Sequence, residues 1–304
     1  MEQQEIKETI NKLKKEKNAI ILAHYYVDDS VQEIADFVGD SYYLSKFVLD
    51  RKETIIIFCG VHFMGESAKI LNPNKTIIMA DKNADCPMAH MVEEEDIRKM
   101  RAQYEDLAVV CYINSAAKIK ALSDVCVTSS NALKIVQSLP NKNIFFIPDN
   151  NLGKYVASKC PDKNFIFHDG FCHVHTSITK DNVLKAKEAY PNAQVLVHPE
   201  CTMDVITLAD YVGSTSGIID YATESNCERF IICTEMGILY ELKQKNPHKT
   251  FYSVGHRPFC PNMKLISLEK VCHALESLEN QVIVTEEVTI KAKAALVNMH
   301  LIAQ

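Results

Sequence analysis

The sequence predicts an α/β protein of three similar three-layer αβα domains with small parallel sheets, arranged around a pseudo-threefold axis. Three observations predict it. Short runs rich in Ile, Val and Phe alternate with stretches of helical spacing, the pattern of parallel sheets with crossover helices. The same succession of four strands recurs three times along the chain. A loop ending in cysteine recurs at the same place in each repeat, at Cys86, Cys172 and Cys260, which lie 86 and 88 residues apart.

In the first unit a charged amphipathic helix over Met1 to Asn18 precedes AIILAHYYVDDSVQEIADFVGDSYY, from Ala19. Ala19–Ala23 reads as a buried strand, His24-Tyr25-Tyr26 as its polar tip and Ser30–Phe37 as a helix. A second short strand then leads to Gly39-Asp40-Ser41 at the start of another helix. Thr54–Phe58 is a third strand, followed by a loop with Gly65 and a helix, and Lys75–Met79 is a fourth, followed by the loop to Cys86. The second unit opens with a helix over Glu93–Gln103 and repeats the order from Leu107, with strands at Leu107–Tyr112, Asn143–Ile147 and Asn164–Phe167 and a short one between the first two. The third repeats it from Ala193, with strands at Gln194–Val197, Arg229–Cys233 and Thr250–Ser253. Gly153 and Gly237 stand where Gly65 does. The units are residues 1–87, 88–173 and 174–304, the last including a C-terminal helix that can also pack on the first unit. Length alone, 304 residues, suggests about two domains; the repeat makes them three.

Composition narrows the function classes. Hydrophobic residues at 47% and charged residues at 24% describe a folded globular chain and exclude disorder. A formal charge of −6 argues against a nucleic-acid binder, which carries a basic stripe. No apolar run approaches the ~18–20 residues that span a bilayer, and no secretory signal is visible, so a cytoplasmic protein with reduced thiols is expected. The 11 cysteines then read as core residues, metal ligands or catalytic groups, not as a disulfide framework, and none forms a C-x-x-C pair.

Ligands of parallel α/β units bind beyond the carboxyl ends of the strands. If these ends face inward, the tips His24-Tyr25-Tyr26, Tyr112-Ile113-Asn114 and His198-Pro199-Glu200 converge. Each offers two alternate positions to the same side. Two His, two Tyr, one Asn and one Glu would suit an anionic substrate and proton transfer. The turns Gly39-Asp40-Ser41, Val127-Thr128-Ser129-Ser130 and Gly213-Ser214-Thr215-Ser216 read equally as helix caps or as anion sites at helix N-termini. Three loop thiols, one per unit, could hold zinc or an Fe–S cluster, and three rather than four leave one iron without a protein ligand. His175, in FCHVHTS, could face the same cavity. The other eight cysteines do not recur once per repeat.

The combination AHYY, GDSYYLS, ADCPMA, CYINSAAKIKALSDVCVTSSNA, IPDNNLG, GFCHVH, HPEC, ADYVGSTSGII, TEMGILYELK and FCPNMK resembles the quinolinate synthases, from His24 to Met263. That family has three αβα domains around a pseudo-threefold axis and one [4Fe-4S] cluster held by a cysteine from each. The resemblance implies condensation of iminoaspartate (iminosuccinate) with dihydroxyacetone phosphate to quinolinate, with loss of phosphate and two waters, in de novo NAD biosynthesis. It implies Cys86, Cys172 and Cys260 as ligands of one cluster per chain, with one iron free of protein ligands. It assigns substrate binding to His24, Ser41, Tyr112, Ile113, Asn114, Ser129, His198, Pro199, Glu200, Ser214 and Thr215. Tyr26 matches a tyrosine of catalysis and active-site opening, Glu200 the acid–base carboxylate and His175 a further active-site histidine. Where some members carry C-x-x-C-x-x-C near the third ligand, this chain has RPFCPNMK, so a redox-switch disulfide is not expected there. The expected partners are the two small substrates, with functional coupling to L-aspartate oxidase left open, and neither nucleic acid nor membrane. An Fe–S or Zn-dependent hydro-lyase acting on another small polyanion remains the alternative.

Overall fold

The computed structural model describes residues 3–47, 49 and 51–303. Along the first repeat run α1 (Gln3–Glu16), β1 (Ala19–His24), α2 (Asp29–Ile34), β2 (Phe37–Gly39), α3 (Ser41–Phe47), β3 (Ile55–Cys59), α4 (His62–Leu71) and β4 (Thr76–Met79). The second has α5 (Glu94–Gln103), β5 (Leu107–Tyr112), α6 (Ala117–Lys120), β6 (Val125–Val127), α7 (Ala132–Ser138), β7 (Asn143–Ile147), α8 (Asn150–Ala157) and β8 (Asn164–Phe167). The third has α9 (His173–Thr176), α10 (Lys180–Ala189), β9 (Gln194–Val197), α11 (Met203–Ile206), β10 (Tyr211–Val212), α12 (Thr215–Glu224), β11 (Arg229–Cys233), α13 (Ile238–Lys245) and β12 (Thr250–Ser253). Two helices close the chain, α14 (Leu268–Ser277) and α15 (Glu286–Ile302).

The strands form three four-stranded sheets of one topology, β2-β1-β3-β4, β6-β5-β7-β8 and β10-β9-β11-β12. All their pairings are parallel. β1 and β5 are buried along their whole length, as expected of inner strands covered by helices on both faces. The predicted strands fall on these elements to within a residue or so.

The helix expected over Ser30–Phe37 is shorter. It stops at Ile34, Ala35 is extended, and Phe37 pairs with Leu22 in the sheet. An aspartate causes the switch: Asp36 donates its N–H to the Ile21 carbonyl and accepts the Ile21 N–H through Oδ2 at 2.8 Å. This clasp recurs in every unit, since Val109 donates to Asp124 Oδ2 and Val195 to Asp210 Oδ2, both at 2.7 Å. It fixes the edge strand in register with the first strand, and so fixes the Ser/Thr turn that follows the edge strand.

The chain's end ties the units together. α14 packs on α1, α2 and β3, and Lys270 of α14 pairs with buried Asp81. α15 packs on α4 of the first repeat and on α6, β6 and α7 of the second. The aliphatic core around the first two sheets is consequently continuous, while residues of the third sheet also enter a separate cluster around Val195, Val197 and Ile231. Among the described residues no helix is long and apolar enough to cross a membrane.

Candidate active site

The carboxyl ends of the three sheets surround one cavity. It is lined by His24 and Tyr26, by Tyr112 and Asn114, and by His198 and Glu200. Tyr25, Ile113 and Pro199 are not among the lining residues, so Ile113 and Pro199, expected to bind substrate, stand behind the wall. In the first and third units the backbone there is a tight turn and not a continued strand: Val27 N–H returns to the His24 carbonyl and Cys201 N–H to the His198 carbonyl. Within the turn, the N–H of Tyr26 donates to His24 Nδ1 at 3.2 Å and that of Glu200 to His198 Nδ1 at 3.3 Å. A ring nitrogen that accepts must be unprotonated, so in each imidazole the proton sits on Nε2. Burial lowers both histidines to about 3, which keeps them neutral. Each is thus a neutral N–H donor in the cavity wall.

A chain of hydrogen bonds crosses from the first unit to the third. Tyr26 Oη lies 2.8 Å from Thr215 Oγ1 and 3.0 Å from Thr234 Oγ1. Thr234 Oγ1 lies 2.9 Å from His175 Nε2. His175 Nδ1 meets Glu200 Oε2 at 2.6 Å and Cys172 Sγ at 3.2 Å. All five side chains from Tyr26 to Glu200 are buried, and the His175 ring stacks on His198 with centroids 4.4 Å apart. Burial works to raise Glu200, but charge and hydrogen bonding from His175, with a hydrogen bond from Tyr112, overcome it and hold the carboxyl below its ordinary value. Burial also raises the Tyr26 phenol well above its usual range, so it stays protonated. Glu200 Oε1 and Asn114 Oδ1 are buried without a partner among the described residues, two acceptors aimed at the cavity.

The Ser/Thr turns divide by role. Asp40, not Ser41, caps α3, accepting from the N–H groups of Tyr42 and Tyr43 at 3.1 Å, which leaves the Ser41 hydroxyl to line the cavity. Ser129 lines it too, while α7 begins three residues further on, after Asn131 Oδ1 has taken the Thr128 N–H. Thr215 faces the cavity, whereas Ser214 caps α12 by accepting from Gly217 and is not among the lining residues.

Cys86, Cys172 and Cys260 all line the cavity, each in the loop after the fourth strand of its sheet. Burial pushes the Cys86 thiol up to about 12, with a further push from Cys260, and raises Cys172, which also feels Cys86. A second set of possible ligands overlaps them: the donor atoms of Cys172, His175 and Glu200 lie within 4.8 Å of one another. At 2.6 Å, however, His175 Nδ1 and Glu200 Oε2 are hydrogen-bonded. Two ligand atoms of a tetrahedral metal, each ~2 Å from it, sit roughly 3.3 Å apart.

Four site residues escaped the sequence reading. Asp40 was visible only as part of a turn. Thr234 and Glu235 lie in TEMG and Asp149 in IPDNNLG, motifs noticed as repeat loops. Both carboxylates are buried. Burial raises Asp149, and raises Glu235 to about 7, against the N–H groups they accept from. Their common place, two residues beyond the end of the third strand of their sheets, was the available signal.

Comparison with known proteins agrees with this arrangement. Residues 8–301 match the family model described as quinolinate synthetase A protein. The chain is 55% identical over 295 residues to a quinolinate synthase of Clostridioides difficile, covering 97% of each chain. It is 53% identical over 299 residues to one of Caldicellulosiruptor saccharolyticus, covering 98% of this chain and 99% of the relative. It is 51% identical over 294 residues to one of Fusobacterium nucleatum, with 97% and 98% covered. The chain belongs to the quinolinate synthetase A protein family.

Proposed function

We propose that this enzyme condenses iminoaspartate with dihydroxyacetone phosphate to quinolinate, releasing phosphate and two waters, in de novo NAD synthesis. The observation that carries the reading is the buried chain Tyr26–Thr234–His175–Glu200 in a cavity shared by three units. The reaction balances in atoms without an oxidant or reductant. It therefore calls for acid–base groups and a Lewis acid.

The residues fit a [4Fe-4S] cluster. Three free cysteines, one per unit, present soft donors to one cavity, and their half-buried thiols gain from a cation that stabilises the thiolate. Cys86, Cys172 and Cys260 would hold it, leaving one iron without a protein ligand. When bound, such a cluster supplies a Lewis-acidic site that polarises a substrate hydroxyl or carboxylate.

The chain's own groups do the rest. The neutral His24 and His198 donate N–H bonds to the carboxylates and carbonyl oxygens of the substrates, with Ser41, Ser129 and Thr215 supplying hydroxyls. Glu200 accepts protons during condensation and dehydration. With Nδ1 of His175 protonated, the chain can pass a proton from Tyr26 through Thr234 to Nε2 while Nδ1–H is handed to Glu200. Tyr112 and Asn114 complete the wall. The burial of His24, Tyr26, Tyr112, His198, Glu200 and Thr215 limits the access of bulk water, which would hydrolyse the imine. Reduced thiols throughout fit a cytoplasmic setting.

Iron and sulfide analysis after anaerobic purification tests the reading. Wild type should hold four of each per chain, and Cys86→Ala should lose both cluster and quinolinate formation. A Cys86→Ala protein with full cluster absorbance and full turnover would overturn it.

A further inference from the structure

We infer that Asp149 and Glu235 are positioning residues for the cluster cysteines Cys172 and Cys260. The inference rests on the reading of those cysteines as ligands.

In all three units the loop carrying the cysteine is stapled to the loop after the third strand by the same backbone bond. His62 N–H donates to Ala84 O at 2.9 Å, Asn150 N–H to Gly170 O at 2.8 Å and Met236 N–H to Pro258 O at 2.9 Å. Each acceptor lies two residues before the cysteine. The residue just before each donor occupies one equivalent position: Val61, Asp149 and Glu235. In two of the three it adds a second staple. Asp149 Oδ2 accepts the Cys172 N–H at 3.1 Å, and Glu235 Oε1 accepts the Cys260 N–H at 3.0 Å.

The other oxygen of each carboxylate is also engaged. Asp149 Oδ1 accepts from Leu152 N–H at 2.7 Å, and Glu235 Oε2 from Gly237 N–H at 2.6 Å. Both groups therefore face two N–H donors in a buried place, 0% exposed. A carboxylate has two acceptor oxygens, whereas an amide has one and turns an NH₂ on the second donor. This explains acidic side chains where burial alone would favour neutral ones. Gly170 shows how close the staple is, since a Cβ there would meet Pro148 O at 2.6 Å. The first unit, with Val61, solves the problem locally: Asp85 Oδ1 accepts the Cys86 N–H at 2.7 Å. Groups that orient ligands in this way tune metal affinity and lifetime.

The test uses Asp149→Asn and Glu235→Gln enzymes, purified anaerobically. Each should fold as judged by circular dichroism, yet carry less iron and sulfide and lose the brown absorbance to a chelator at least fivefold faster than wild type. A purely structural role would lower the melting temperature and leave iron content and lifetime unchanged. Should either buried variant be recovered unfolded, Asp85→Ala carries the same test at Cys86, because its side chain is 43% exposed. Iron content and lifetime within twofold of wild type in the folded variants would overturn the inference. A wild type without iron, or a Cys172→Ala enzyme that keeps its cluster, would instead overturn the cysteine reading beneath it.

Discussion

Replacing Thr234 by valine keeps the β-branched shape and removes the hydroxyl that joins Tyr26 to His175. The hydroxyl has one proton, so it accepts from one neighbour and donates to the other, over 3.0 Å and 2.9 Å. Tyr26 keeps its second partner, Thr215, at 2.8 Å, but His175 Nε2 is left bare in a buried site. An unsatisfied buried polar atom costs about 1–3 kcal/mol of stability. A positioned acid–base group contributes roughly 10²–10⁴ in rate. Since the Glu200–His175 contact survives, the expected fall in kcat is at the low end, about 100-fold. The assay is quinolinate formation at saturating substrates, normalised to iron content, with urea unfolding for stability. Thr234→Ser should recover most of the turnover. A valine variant with normal iron and turnover within threefold of wild type would refute the relay.

Three further outcomes follow from the same geometry. Glu200→Gln should keep the cluster and lose most turnover, because the amide cannot take the proton; wild-type rates would remove Glu200 from the chemistry. Gly237→Ala should lower both stability and kcat, since its Cβ would meet Tyr25 O at 2.5 Å and Tyr26 Cα at 2.7 Å, backbone atoms that cannot yield, at a cost of about 1–3 kcal/mol; a crystal structure with Tyr26 undisturbed and full activity would contradict this. Buried His24 and His198, lowered to about 3, cannot take up the protons that the unfolded chain binds near pH 6.5. Their contribution to stability is fully present above pH 6.5 and is lost as pH falls toward 3, by on the order of 1–2 kcal/mol per histidine between pH 7 and 5. Urea titrations of the apoprotein at those two pH values should show that loss, and a smaller one in His24→Asn.

The sheets were legible because a fully buried strand has nowhere to put polar residues, and runs such as Thr54–Phe58 stand out against amphipathic neighbours. The cysteines were legible because the fold repeats and they repeat with it. The end of α2 was not: Phe37 suits a helix face as well as an edge strand, and only the Asp36 clasp to Ile21 decides. Thr234 was invisible for a different reason. Its two partners, Tyr26 and His175, are far from it in the chain, and nothing local in TEMG announces them. Asp149 and Glu235 lay between these cases, since aligning the repeats sets them beside Val61, but a carboxylate in one unit and an aliphatic in another does not look like a shared role. The destination of the C-terminal helices was likewise a matter of packing: α14 returns to the first sheet, and α15 bridges the first two repeats.

The central claim is that one cavity, built by three units, turns iminoaspartate and dihydroxyacetone phosphate into quinolinate. Mixing both substrates with the anaerobically purified enzyme and measuring quinolinate and inorganic phosphate together tests it most directly. The account predicts the two products in a one-to-one ratio, with neither formed when either substrate is omitted. Enzyme that contains its cluster yet releases no quinolinate, or releases phosphate without it, would contradict the account.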